Sequence, residues 1–164
     1  MKKIIIAIAL LIGTQKVEAQ SDSIPKYQKF PLIPVFSMMS APDSTKFTKE
    51  NLKKKKATII ILFSPDCSHC QAETKELLTH IDLFKKTQIV MVSSLDFKYI
   101  KKFYDEYKIA DYPNIVMGRD GAFFLGEFYK ISSYPSIFVY DKKGKFVKAF
   151  TPPNTEITKI AEVL

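Results

Sequence analysis

The sequence has few of the residues from which small proteins build cross-links or metal sites. It contains two cysteines, two histidines and no tryptophan among 164 residues. Two cysteines exclude a disulfide-dense scaffold and a four-cysteine zinc site. A mixed zinc site would need every cysteine and histidine of the chain, namely Cys67, Cys70, His69 and His80. Because His69 lies inside the cysteine pair and zinc-finger spacing is missing, the sequence predicts no bound metal.

Long apolar runs are also missing, since none reaches the roughly 18 residues of a membrane-spanning helix. The nine-residue apolar stretch Ile4–Ile12 follows a pair of lysines, and Val17 and Ala19 then offer small side chains two residues apart. This order is typical of a secretory signal peptide, which we place over residues 1–19. We therefore expect an exported, periplasmic protein with no stable membrane span after cleavage. The alternative is a short buried N-terminal helix.

Arginine is nearly absent, although the formal net charge is +8. Arg119 is the only arginine, and the lysines are spread along the chain apart from one dense run, Lys53–Lys56. This run stands just ahead of a predicted strand, so we interpret it as a solvated turn. A basic chain can bind nucleic acid or a membrane surface, but the scattered lysines and the export signal favour no nucleic-acid partner.

The apolar patterns predict one domain over residues 36–164, preceded by an extended, proline-containing leader over residues 20–35. Residues 41–56 are interpreted mainly as turns. Strands are predicted over Thr58–Phe63, Gln88–Val92 and Asn114–Met117, and a hairpin over Ser136–Tyr140 and Lys145–Phe150. Helices are predicted from Cys67, after the capping residue Asp96, over Phe123–Ile131 and after Pro152. This order predicts an α/β fold in which helices flank a central mixed sheet on both faces.

Both cysteines stand in the motif Cys67-Ser68-His69-Cys70, where a buried strand gives way to a helix. The first turn of a helix offers unsatisfied N–H groups and the positive end of the helix dipole, which stabilise a thiolate. We therefore expect Cys67 to be the attacking thiolate. Cys70, one turn later on the inner face, is expected to be the resolving thiol.

Other interpretations of the motif stay open. As an imidazolium, His69 would favour the thiolate of Cys67 further and make the pair more oxidising; alternatively it is a solvated helix-start residue. The cysteine pair could be an inert disulfide or half of a metal site. A disulfide that closes so short a loop constrains the unfolded chain little, so it is a poor staple.

A second landmark is the dipeptide Tyr134-Pro135, which immediately precedes a predicted strand. Proline cannot donate a ladder hydrogen bond, so it belongs at the start or edge of a strand. A cis bond here would let the chain approach the dithiol closely. Taken alone, the dipeptide favours an ordinary trans proline at a strand start.

With these motifs in this order, the chain resembles the thioredoxin superfamily, and within it the exported TlpA/ResA-type thiol–disulfide oxidoreductases. The export signal is one shared feature. Another is Cys70-Gln71-Ala72-Glu73, which matches the C-x-x-C-x-x-E pattern of that branch. The third is the long segment between Cys67 and Pro135. There Asp96–Ile109 and Asn114–Met117 would supply the helix and strand that the branch inserts.

The resemblance implies a thioredoxin-like fold with a redox-active Cys67–Cys70 disulfide and no bound cofactor. It implies that Pro135 is the cis-proline facing the dithiol and that the backbone of Tyr134 pairs with a substrate peptide. Glu73 becomes the acid that tunes Cys70 or moves its proton, although by spacing alone it could be an exposed helix residue. The implied partners are client proteins with disulfides or thiols and a membrane electron donor, with exchange in the reducing direction.

The chain departs from the family at several positions. Ile61 stands where plain thioredoxins keep a buried acid. Two functions other than thiol–disulfide exchange also stay open. A peroxiredoxin-like thiol peroxidase would use Ser64, three residues before Cys67, and Arg119. A non-enzymatic copper-binding assembly factor would use both cysteines and a histidine, but such proteins place three residues between the cysteines.

Overall fold

The computed structural model describes residues 24–152 and 155–164. The predicted signal peptide, residues 1–19, lies outside the described residues, as does the start of the predicted leader.

In this part of the chain seven strands form one sheet. They are β1 Ser37–Ser40, β2 Thr45–Thr48, β3 Ala57–Leu62, β4 Thr87–Ser93, β5 Ile115–Arg119, β6 Ser136–Tyr140 and β7 Phe146–Phe150. Their order is β2-β1-β5-β4-β3-β6-β7. Strands β3, β4 and β5 are parallel, whereas β6 and β1 run antiparallel to the strands they join. The predicted mixed sheet is confirmed.

The helices are α1 Lys26–Lys29, α2 Ser68–Thr79, α3 Phe97–Glu106, α4 Phe124–Tyr129 and α5 Ile157–Ala161. Every residue of β3 and β4 is buried, and successive side chains point to opposite faces of the sheet. Ile59 and Ile61 join the core beneath α2, α3 and α5. Ile60 and Leu62 join the core beneath α4. Helices therefore cover both faces, which explains why these strands are almost continuously apolar.

Helix α3 begins where the sequence predicts. The Asp96 carboxylate accepts a hydrogen bond from the backbone N–H of Lys98 at 3.2 Å, as an N-cap residue does. Ile100 and Phe103 of this helix are buried. Strand β5 follows and pairs with β4. The chain between Cys67 and Pro135 therefore contains the expected additional helix and strand.

The N-terminal hairpin of β1 and β2 is a correction to the sequence analysis, which interpreted residues 41–56 mainly as turns. The two strands meet through a turn with a cis Ala41–Pro42 bond, and β1 joins the edge of the sheet at β5. Both strands are four residues long and largely exposed. Their side chains therefore lack the apolar alternation from which a strand is predicted.

Strand β1 packs unusually close to β5 at Gly118. A Cβ atom at this position would lie 2.5 Å from the carbonyl oxygen of Met39 and 3.0 Å from the sulfur of Met38. Only a residue without a side chain lets the two backbones approach to this distance.

The two ends of the chain also differ from expectation. Lys26–Lys29 form one helical turn inside the predicted extended leader, and Tyr27 packs its ring against Phe138. The last helix begins at Ile157, later than expected, and buries Ile157 and Ile160. Leu164, three residues beyond the end of this helix, is exposed.

Candidate redox site

The site forms where β3 ends and α2 begins. Cys67 is the N-cap residue of α2, and its sulfur accepts a hydrogen bond from the backbone N–H of Cys70 at 3.4 Å. An N–H group of the first helical turn, which has no partner inside the helix, thus points at the sulfur. This contact and the helix dipole both favour negative charge on that atom.

The two cysteines differ sharply in exposure. Both are free thiols; Cys67 is partly exposed and Cys70 is buried, with 1% of its surface accessible. Burial raises the pKa of the Cys70 thiol far above its ordinary value, and the neighbouring Cys67 adds to this rise. The arrangement offers one sulfur to a partner and withholds the other inside the protein.

The loop before β6 lies directly against the dithiol. The Tyr134–Pro135 peptide bond is cis, as the family resemblance implies. The sulfur of Cys67 lies 3.9 Å from the carbonyl oxygen of Tyr134. Pro135 is buried and lines a small cavity together with Cys70. Cys67 and Tyr134, which are separated by 67 positions in the sequence, are thus brought into contact by the fold.

Glu73 lies one turn after Cys70 and borders the same cavity, which has a volume of about 10 Å³, enough for about one water molecule. Its Oε2 accepts a hydrogen bond from the Thr155 hydroxyl at 3.1 Å. Its buried Oε1 has no hydrogen-bond partner within residues 24–152 and 155–164. Burial raises the pKa of Glu73 to about 7, and the Thr155 hydrogen bond only partly offsets the rise.

Thr155 is a site residue that the sequence analysis missed. It precedes the short helix α5 and lies 82 positions after Glu73. No local pattern marks such a contact, because it depends on how α5 packs against α2.

The remaining candidate residues are His69, Ile61, Ser64 and Arg119, of which Ile61 borders the cavity of Cys70. His69 is exposed on the first turn of α2. Ile61 is buried in the apolar core. The hydroxyl of Ser64 donates a hydrogen bond to the carboxylate of Asp66 rather than to Cys67. Arg119 is on β5, two strands away from β3. The structure therefore does not assemble a peroxidase set of Ser64, Cys67 and Arg119.

A larger cleft opens beside the dithiol, between the loop that precedes Cys67 and helix α3. It has a volume of about 420 Å³, and the residues lining it include Asp66, Leu95, Tyr99 and Lys102. Its walls mix apolar and charged side chains, and Asp66 on its wall directly precedes Cys67 in the chain.

In residues 24–152 and 155–164, no three or more His, Cys, Asp or Glu side chains are grouped so that they could hold a metal ion. None of the helices described above has the length and apolar character needed to cross a membrane.

Residues 46–163 match the family model described as a thioredoxin-like domain. No curated protein matches the sequence significantly.

Several solved structures share the fold. The thioredoxin domain of a thiol-disulfide oxidoreductase from Bacteroides vulgatus is similar at 24% identity and a TM-score of 0.65, over 81% of this chain and 96% of that one. An exposed lipoprotein thioredoxin from Streptococcus pneumoniae is similar at 25% identity and a TM-score of 0.57, over 80% and 100%. A secreted disulfide oxidoreductase from Mycobacterium tuberculosis is similar at 16% identity and a TM-score of 0.65, over 79% and 96%. With its family match over most of its length, the chain belongs to the thioredoxin-like family.

Proposed function

We propose that this protein is an exported thiol–disulfide oxidoreductase that reduces disulfides of client proteins through Cys67 and Cys70. The observation that carries the proposal is the position of the Cys67 sulfur. It is partly exposed at a helix start and lies 3.9 Å from the carbonyl of Tyr134, beside a cis proline. A disulfide-exchange nucleophile needs this combination of thiolate stabilisation and access.

The proposed reaction has two exchange steps. The thiolate of Cys67 attacks one sulfur of a client disulfide, so a mixed disulfide forms and the other client sulfur leaves as a thiolate. Cys70 then loses its proton and attacks the sulfur of Cys67. The mixed disulfide breaks, the client leaves with both sulfurs reduced, and a Cys67–Cys70 disulfide remains. Two electrons have passed to the client, so an external donor must return two electrons and two protons.

Glu73 is proposed to receive the proton of Cys70. The Cys70 thiol is buried and holds its proton strongly, so its attack needs a base nearby. Glu73 borders the same cavity, and its pKa of about 7 leaves a large fraction of the carboxyl ionised near neutral pH. A base poised near the working pH suits this task.

The client is proposed to bind as an extended segment along Tyr134 and the cleft beside the dithiol. Tyr134 offers its backbone next to the attacking sulfur, and β6 follows directly after Pro135. The cleft lined by Leu95, Tyr99 and Lys102 would receive side chains on one side of the client cysteine.

Export and the reducing direction complete the proposal, with the periplasm as the compartment and a TlpA/ResA-type protein as the nearest type. The predicted signal peptide supports export, and the similar proteins from S. pneumoniae and M. tuberculosis are named exposed and secreted, respectively. Because an extracytoplasmic compartment oxidises thiols, a reductase there needs a membrane electron donor.

Trapping of mixed disulfides tests the exchange activity. In a Cys70→Ala variant the first step proceeds and the second cannot, so client proteins should stay covalently bound to Cys67 and be released by a reductant. A Cys67→Ala/Cys70→Ala double variant is the matched control. If the single variant retains no more disulfide-linked protein than the double variant, the proposed activity is wrong.

A further inference from the structure

Lysines gather at the end of the sheet opposite the dithiol, where β3 begins and β6 ends. Lys53–Lys56 precede β3, and Lys142 and Lys143 lie in the turn after β6. Strands β3 and β6 are antiparallel neighbours in which Thr58 faces Tyr140, so the two turns lie side by side. With Lys49 they line a groove of about 340 Å³, which contains seven lysines and the single carboxylate of Glu50.

In the part of the chain that the structure describes, the seven lysines of this groove outnumber the carboxylates that attract them, namely Glu50 and Asp141. The ion pairs found among the described residues involve Lys85, Lys101 and Lys159, none of which lines the groove. The nearby Asp141 carboxylate accepts hydrogen bonds from the backbone N–H groups of Lys143 and Lys145 and so shapes the hairpin turn. Like charges packed this closely repel one another, and an external anion would relieve that repulsion.

Exposed apolar side chains lie beside the same turn. Phe30, Leu32 and Val35 expose 64%, 57% and 71% of their surfaces. Their segment is fixed to the β6–β7 turn, since Leu32 bridges to Lys145 and the N–H of Ile33 donates to the carbonyl of Gly144 at 3.0 Å. A soluble anion gains nothing from such side chains, whereas the headgroup region of a bilayer accepts apolar groups and attracts lysines.

The lysine groove lies at the opposite end of the sheet from the dithiol. Cys67 and Pro135 lie at the other end of β3 and β6, and β3 is six residues long. At about 3.3 Å per residue, the two ends of β3 are separated by roughly 20 Å. A protein held by its lysine groove would therefore keep the dithiol exposed, roughly 20 Å from the bound surface.

We propose that the lysine groove and the adjoining apolar segment 30–35 form a peripheral binding surface for membranes rich in anionic phospholipids. This surface is independent of thiol exchange, so it stands or falls separately from the proposed function. It also changes the interpretation of Lys53–Lys56. The sequence indicates a solvated turn, and only the fold adds Lys142 and Lys143 to it.

Vesicle binding tests the proposal with the full chain. Phosphatidylglycerol–phosphatidylcholine vesicles should co-sediment the protein at low salt, and pure phosphatidylcholine vesicles should not. A Lys54→Gln/Lys142→Gln/Lys143→Gln variant should bind on the order of 100-fold more weakly, since each lysine near an anionic surface contributes roughly fivefold. A control variant with the same charge, Lys75→Gln/Lys98→Gln/Lys101→Gln, replaces exposed lysines of α2 and α3 outside the groove and should bind nearly as tightly as the wild type.

The apolar contact has its own readout, because the chain has no tryptophan. A Leu32→Trp variant should shift its emission to shorter wavelength on anionic vesicles, whereas Tyr99→Trp, beside the dithiol, should not. All variants carry the same N-terminus, so any contribution of residues 1–23 cancels in the comparison.

Three results would overturn the proposal: no binding to anionic vesicles at low salt, equal loss of binding in the two triple variants, or lysine-dependent binding of soluble polyphosphate without vesicle binding. The last result would assign the groove to a soluble polyanion.

Discussion

Two cysteines three positions apart acquire different chemistry from their surroundings. Cys67 is partly exposed, and its sulfur accepts a hydrogen bond from a backbone N–H of the first turn of α2. Cys70 is buried. The sequence predicts these roles, because the motif stands where a buried strand passes into a helix. The contact of Cys67 with Tyr134 rests on the position of β6 and cannot be derived from spacing.

The difference in exposure predicts unequal alkylation. In the reduced protein at neutral pH, iodoacetamide should modify Cys67 at least about tenfold faster than Cys70, because only the thiolate reacts and burial keeps Cys70 protonated. Mass spectrometry of peptides over time measures both rates. A Cys67→Ser variant is the control, and its remaining thiol should react slowly. Equal rates at the two cysteines would contradict the assignment of Cys67 as nucleophile.

Glu73 should make stability depend on pH. Burial raises its pKa from 4.5 to about 7, so between these values the folded protein holds a proton that the unfolded chain releases. Stability contributed by this group therefore falls as pH rises from about 4.5 to about 7. Glu73→Gln should remove this loss, which we expect to be about 1 kcal/mol after allowance for the partial exposure of the carboxyl.

Urea unfolding of wild type and variant at pH 5 and pH 8 measures the effect of Glu73. Glu106→Gln, an exposed position on α3, is the matched control and should leave the pH dependence of the wild type in place. If Glu73→Gln also leaves it in place, the Glu73 carboxyl is not the group that titrates.

At the scale of elements, the pairing of β1 with β5 at the edge of the sheet depends on a close approach of the two backbones. Gly118 of β5 leaves room for the carbonyl of Met39 in β1, so a methyl group there must push the strands apart. Gly118→Ala should lower the free energy of unfolding by about 1–3 kcal/mol, the usual cost of overpacking.

Gly121 provides the control for Gly118, since a Cβ atom at Gly121 would meet its nearest neighbours only at 3.8 Å or more. Gly121→Ala should change the free energy of unfolding by less than about 0.5 kcal/mol. Equal effects of the two substitutions in denaturant titrations would show that β1 and β5 do not pack as described.

The same edge shows where sequence patterns stop being informative. Strands β3 and β4 are predictable because both of their faces are buried, and α3 because Asp96 caps it. Strands β1 and β2 are not, since each has only four residues and Met38 is the one fully buried side chain among them. They form because β5 offers an open edge, and that edge exists only once the sheet has assembled.

For the molecule as a whole, the fold creates two chemically different ends. The dithiol, Pro135, Glu73 and Thr155 meet at one end of the sheet, and the lysine groove lies at the other. The sequence indicates the first end through its motif and the family resemblance. It does not indicate Thr155 or the groove, because each joins segments more than 80 residues apart.

The reduction potential of the Cys67–Cys70 couple tests the account most directly. Equilibration of the protein with glutathione buffers, followed by alkylation to count free thiols, gives this value. A client-reducing protein should have a potential near that of thioredoxin, about −270 mV, or lower. A value near about −120 mV, typical of a strong oxidant, would contradict the reducing direction, and failure of the two thiols to form a reversible disulfide would contradict the exchange activity itself.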